Sequence, residues 1–132
     1  MKKIKKCYEL TLKDRTYWVK AIGVWTLRDV EEYIRDFRSQ VNPIIGASWG
    51  LVLDVRDWQA SPLDVIAGIT DNSNWCVRNH LMFVVALLPK DHVTGWQFLK
   101  ATAVDLPEGF VKHRVDSEEE ARKLLQDAGY LS

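Results

Sequence analysis

The residues able to do chemistry form no complete set. Gly46-Ala47-Ser48-Trp49-Gly50 matches the G-x-S-x-G pattern of a nucleophilic serine on a sharp turn. That turn needs a strand before the serine and a helix after it. Here a helical pattern precedes Ser48, a strand pattern follows, and no histidine can be assigned as its base. Asp54, in Leu51-Val52-Leu53-Asp54-Val55, could accept a phosphoryl group only beside an acidic pair able to hold magnesium. The first strand ends in Thr11-Leu12-Lys13 and lacks that pair, so Asp54 is expected to be a strand-end residue bonding a neighbouring loop. His80, His92 and His113 show neither H-x-x-H nor H-E-x-x-H spacing, and none has a cysteine at ligand spacing. Glycine-rich phosphate loops are absent. Glu118-Glu119-Glu120 suits a helix start, where the dipole favours negative charge. The expectation is a protein without catalytic residues, metal or cofactor.

The tryptophans carry more information. Of Trp18, Trp25, Trp49, Trp58, Trp75 and Trp96, three fall just after expected strands or at the next helix start: Trp25, Trp58 and Trp96. In open α/β sheets, ligands favour the crevice beyond the carboxyl ends of the strands. That rim would gather Asp57, Trp58, Gln59, Ser61, Lys90, Asp91, His92 and Trp96, indoles beside mixed polar groups, as a protein or small-molecule contact face requires.

Composition narrows the partners. The 132 residues carry 18 Lys+Arg and 18 Asp+Glu, a formal charge of zero. A balanced chain has no long-range field to hold a polyanion, so nucleic acid is not expected. The basic run Lys2, Lys3, Lys5 and Lys6 is short, and the polar segment after it is no signal-peptide core. The longest apolar run, Leu81 to Leu88, is far shorter than a membrane-spanning helix, so no membrane insertion is expected. Cys7 and Cys76 form no disulfide framework and fit a reducing cytoplasm. Hydrophobic residues at 47% can build one core, and residues 1–132 read as one domain.

The elements that must position the rim follow from periodicity. Cys7 to Trp25 reads as a hairpin turning at Lys13-Asp14-Arg15. Thr26 caps a helix, with Asp29 reaching back and Leu27, Val30, Ile34, Phe37 and Val41 as its apolar stripe. Trp49 to Val55 is a strand. Ser61-Pro62-Leu63-Asp64 opens a helix with serine as its cap, ending in the polar stretch Thr70 to Asn74. Leu81 to Leu88 is a strand covered on both sides. His92 to about Ala103 is a helix with Val93, Trp96 and Leu99 on one face. Phe110 to Val115 is a strand, and Ser117 with Glu120 opens the last helix, whose inward residues are Ala121, Leu124, Leu125 and Ala128. The fold class is therefore α/β: a mixed, mostly parallel sheet of about five strands in the order β-β-α-β-α-β-α-β-α.

That order resembles the STAS domain, the anti-sigma-factor-antagonist family, in its broader SpoIIAA-like form. The likeness rests on Leu51 to Trp58, Ala60 to Val65, Met82 to Leu88 and Asp116 to Leu125. The resemblance implies a non-enzymatic regulatory module that binds another protein, with a phosphorylatable serine at the position of Ser61. The family's preceding aspartate is replaced by Ala60, and Pro62 follows. The alternative that the likeness supports is a domain that binds or senses a small apolar ligand or lipid. It also implies helices mainly on one face of the sheet, the other being covered by the amino-terminal strands, a stray helix or a second copy in a homodimer.

Overall fold

A computed structural model describes residues 7–102 and 104–132, apart from the side chains of His92 and Ala101; the run Lys2 to Lys6 lies outside the described residues. The elements are β1 (Tyr8–Lys13), β2 (Thr16–Gly23), α1 (Leu27–Val41), a 3-10 turn (Asn42–Ile44), β3 (Trp49–Trp58), α2 (Leu63–Arg78), β4 (Leu81–Leu87), α3 (His92–Ala101), β5 (Val111–Arg114) and α4 (Glu118–Asp127). The described residues form one five-stranded sheet in the sequential order β1-β2-β3-β4-β5. β1 is antiparallel to β2, and all later pairs are parallel. The α/β class and element order are those expected from the sequence.

Local chemistry accounts for the starts and turns. Asp14 takes φ 54° in the hairpin turn, a conformation that a short polar side chain tolerates. Thr26 and Asp29 close a reciprocal capping box at α1. Ser117 accepts the Glu120 N–H at the start of α4. Topology then fixes the layers. Each parallel crossover steps one strand over in the same direction, and such crossovers are right-handed, so α1, α2 and α3 fall on one face. α4 follows the last strand and is free of that rule.

Strand register separates the two faces. Tyr17 and Val19 pair with Leu51 and Leu53, and Leu51 pairs with Val84, on the α1–α3 side. There the core includes Tyr17, Trp25, Val30, Phe37, Val41, Trp49, Val65 and Cys76. Val52, Val85 and Leu87 point the other way and meet Ala121, Leu125 and Leu131. α4 is thus the helix that covers the second face. Gly50 makes this approach feasible, because a Cβ there would lie 2.7 Å from Leu125 Cδ2 and 3.4 Å from the Tyr130 ring. The chain end is tied to the hairpin: the Arg15 N–H and the Thr16 hydroxyl donate to the Tyr130 carbonyl at 3.1 and 2.9 Å.

Three expectations need correction. α2 runs through the polar stretch to Arg78. Thr70 and Ser73 return their hydroxyls to the Ile66 and Ile69 carbonyls, and buried Asn72 accepts from Arg38 Nε at 3.1 Å. Contact with α1 outweighs the weak helix preference of these residues. In α3 the face bearing Val93 and Trp96 is exposed, and Thr94 and Phe98 are buried instead. Ala128, expected to face inward on α4, is exposed and lies at its C-cap.

Candidate functional site

The rim is shaped by an irregularity at the end of β3. Lys20 pairs with Asp54 but Ile22 pairs with Asp57, so β3 spends three residues where β2 spends two. The extra residue is a bulge that reverses which side chains point up or down. Beyond it Trp58, opposite Gly23, joins the α1–α3 face. β3 therefore continues to Trp58 rather than ending at Val55, and Trp58 is a core residue at 2% exposure. Its ring packs edge-on against Phe98 at 6.1 Å between centroids, and its indole Nε1 is buried with no hydrogen-bond partner among the described residues.

The other two indoles part company. Trp25 is buried, donating from Nε1 toward the Cys7 and Ile22 carbonyls, 3.2 Å each, and packing on Tyr8 and Tyr33. Trp96 is 62% exposed, with Lys100 Nζ 4.9 Å from its ring centroid. Of the three indoles expected to gather on the rim, Trp96 alone is presented to solvent. Two are drawn inward because a small domain gains most by burying its largest rings.

Ser61 is not a helix cap. The N-cap of α2 is Pro62, which makes no side-chain cap bond. Buried Ser61 instead joins three segments. Its hydroxyl accepts the Trp25 N–H at 3.1 Å and donates to the Gln59 carbonyl at 3.0 Å. Its N–H donates to Gln97 Oε1 at 2.9 Å, and Gln97 Nε2 donates to the Ser61 carbonyl at 2.7 Å. Gln59 N–H adds a bond to the Gly23 carbonyl at 3.0 Å. Gln97 was invisible to sequence reasoning, since a glutamine on a helix carries no signal of a partner 36 positions away.

Beside this junction lies an open cleft of about 960 Å³, lined by Asp57, Trp58, Gln59, Lys90 and Asp91 together with Arg56 and Asp116. Five of the eight expected rim residues therefore share one depression. Ser61 and Trp96 lie outside its lining, and the side chain of His92 is outside the described residues. Asp91 caps α3, accepting from Val93 N–H at 3.1 Å and from the Thr94 hydroxyl. Asp54 does not bond a neighbouring loop. It takes three bonds from Arg56 on its own strand, 2.9 and 2.8 Å from the guanidinium and 3.3 Å from the backbone N–H. Burial pushes its carboxyl upward, but the Arg56 bonds outweigh this and leave it below its ordinary value.

Around the junction stand exposed apolar side chains: Val24 and Leu27 flanking Trp25 and Thr26, Leu63 (84% exposed) just past Pro62, and Val93 with Trp96 on α3. Val24 lies in the β2–α1 connection, and the others lie in the first two turns of α1, α2 and α3. The sequence placed only Trp96 among them, because exposure of an aliphatic residue has no local signature.

Nucleophilic chemistry finds no support in the geometry. Burial and the nearby Asp29 push the Cys7 thiol up to about 11, and burial raises Cys76 further. His80 Nδ1 lies 2.6 Å from the Ile45 carbonyl, and His113 packs on Phe83. Among the described residues no group of three or more His, Cys, Asp or Glu could hold a metal ion. None of their helices is long and apolar enough to cross a membrane.

No protein-family model and no curated protein matches the sequence. Solved structures match the fold. An uncharacterized protein of the DUF3478 family from Shewanella loihica PV-4, described as having a SpoIIAA-like fold, superposes with a TM-score of 0.65 at 14% identity, covering 89% of this chain and 91% of that one. The anti-sigma factor antagonist SpoIIAA in its unphosphorylated form gives 0.59 at 10% identity, covering 92% and 98%. The fold is SpoIIAA-like.

Proposed function

We propose that the chain is a non-catalytic interaction module that holds another protein on the rim formed by the β2–α1 connection, the start of α2 and the start of α3. The observation that carries this reading is the set of exposed apolar side chains, Val24, Leu27, Leu63, Val93 and Trp96, around the Ser61 junction. Exposed apolar groups rimmed by polar residues mark contact surfaces, and the adjoining cleft supplies Asp57, Gln59 and Lys90 as the polar border. A SpoIIAA-like fold supports a regulatory module of STAS type, one of the solved structures it resembles being an anti-sigma factor antagonist.

In this reading Ser61 and Trp58 are positioning residues. Phosphorylation of Ser61 would remove the proton that its hydroxyl donates to the Gln59 carbonyl and set a bulky dianion into the buried contact with the Trp25 N–H, prising the β2–α1 connection from the start of α2. Such a modification would act by loosening the junction, not by adding a charge to a preformed surface. The reading places the protein in the cytoplasm, where the free thiols of Cys7 and Cys76 stay reduced.

Site-specific photo-crosslinking in cells tests the proposal. A crosslinker at Leu63 or Trp96 should give a discrete protein adduct, whereas one at Glu119 on α4 should not. Equal labelling from both positions would remove the rim as the contact face. An adduct of twice the chain mass would identify a second copy as the occupant, and light scattering of the Leu63→Asp variant would then show loss of the dimer.

A further inference from the structure

We propose that the chain forms a two-fold dimer by pairing β1 with β1 of a second copy, antiparallel and centred on Thr11, so that the two sheets run on as one. β1 and β5 are the outer strands of the sheet among the described residues, and exposed edges pair with other chains unless something blunts them. β5 is blunted. It has four residues, of which Lys112, His113 and Arg114 are basic, and self-pairing would bring these together. β1 has six residues, holds no proline, and its ladder with β2 runs without a bulge. Its charged side chains are Glu9 and Lys13, one of each sign. The formal charge of zero adds no general repulsion between copies. The contact is separate from the rim and does not depend on the interaction reading.

Backbone phase and side-chain order select one register. The Ile22 N–H donates to the Cys7 carbonyl at 2.9 Å, so Cys7, Glu9, Thr11 and Lys13 direct their backbone groups toward β2. Those of Leu10 and Leu12 point outward, where no strand of the described residues meets them. A partner strand must bond through these residues. With the axis at Thr11, Leu10 lies opposite the partner's Leu12 and Leu12 opposite the partner's Leu10, exchanging roughly four backbone hydrogen bonds. Glu9 then faces the partner's Lys13, and Lys13 the partner's Glu9, in the non-hydrogen-bonded positions where side chains stand closest. An axis at Glu9 would set like charges against each other, and one at Leu10 or Leu12 would set Thr11 opposite Glu9 or Lys13. Thr11 is the centre that matches both charges within the strand. Glu9, Thr11 and Lys13 are exposed on the α4 side, and half-buried Leu10 and Leu12 lie on the α1 side. The ion pairs and the leucine contacts therefore fall on opposite faces of the seam.

Sedimentation of the full chain tests the contact and its register. The parent should show a concentration-dependent equilibrium between monomer and dimer. Glu9→Lys and Lys13→Glu should each weaken the dimer roughly tenfold, by setting like charges opposite on both sides of the axis. Lys13→Glu leaves the pairing of Glu9 with Lys20 intact and serves alone if Glu9→Lys fails to fold. Mixing the two variants should restore association as a heterodimer, because each then carries one sign. In a Cys7→Ser background with oxidised glutathione, Thr11→Cys should form a disulfide-linked dimer, since the axis brings its two Cα atoms to about 4.5 Å, within disulfide reach. Glu9→Cys should not, its two copies lying about 13 Å apart along the strands. The proposal is overturned if the parent stays monomeric at its highest soluble concentration, if Lys13→Glu associates as well as the parent, or if Glu9→Cys crosslinks as readily as Thr11→Cys. Loss of the dimer in Leu63→Asp would also overturn it, by moving the contact to the rim. Capture of a different protein by crosslinkers at Leu63 or Trp96 stands or falls apart from these results.

Discussion

The two faces of the sheet are built from the same strands yet packed by different means. On one, α1 to α3 enclose an array of rings: Phe37 touches Tyr17 at 4.8 Å, Tyr33 at 5.5 Å and both Trp49 and Trp75 at 6.4 Å between centroids. On the other, α4 alone lies over Val52, Val85 and Leu87, and beyond it the surface turns polar with Glu9, Thr11, Lys13 and Lys20. Three crossovers oblige three helices to one side, whereas the last helix is held by a few aliphatic contacts, a glycine and the tie between chain end and hairpin. The first face is locked by topology and the second by local fit. Both faces keep a depression: about 70 Å³ among apolar walls under the three helices, and an open one of about 440 Å³ with polar walls beside α4.

Substitutions can break this comparison. Phe37→Ala should cost the most, about 4 kcal/mol in denaturant unfolding, since a fully buried ring with four aromatic neighbours leaves a void that they cannot close. Leu125→Ala, also fully buried but on the α4 face, should cost about 3 kcal/mol, and hydrogen exchange should show α4 opening ahead of the other helices. A larger loss at Leu125 than at Phe37 would reverse the ranking of the faces. Gly50→Val should cost about 2 kcal/mol by forcing Leu125 and Tyr130 off the sheet.

The ion pair on the α4 face makes a smaller, pH-dependent contribution. The Asp54 carboxyl lies below its ordinary value in the folded chain. Its stabilisation is therefore complete above the unfolded value near about pH 4 and is lost as pH falls through the folded value. Acid titrations of stability should fall more steeply below about pH 4 for the parent than for Asp54→Asn. An unchanged slope would show that the pair does not couple to folding. Leu63→Asp and Trp96→Asp should change stability least, within about 0.5 kcal/mol, while removing rim crosslinking. A large stability loss there would mean that these side chains pack in the folded state.

Much of the scaffold was legible because its causes are local. The Thr26–Asp29 box, the Ser117 cap and Val30, Phe37 and Val41 of the α1 stripe are short-range facts that the structure reproduces, whereas Leu27 at the head of that stripe is exposed and Ile34 only half-buried. The rim was legible only as a neighbourhood. Asp57, Gln59, Lys90 and Asp91 do line one cleft, but Trp25 and Trp58 went inward and Ser61 proved to be a junction instead of a cap. The sequential strand order also has no point where it reverses, so the crevice that such reversals create in other α/β sheets is absent here. The depression owes its form to the β3 bulge.

The sequence by itself determined which segments are helix and strand, where most of them begin, and that three crossovers link a parallel sheet, because spacing and capping act within a few residues. Tertiary structure alone decided which side of the sheet α4 covers, which way Trp58 points after the bulge, and that Ser61 and Gln97 meet across α2 and α3. Those outcomes depend on register and on contacts between residues far apart in the chain. One inserted residue reverses the facing of every side chain after it, and no local pattern records where that residue falls.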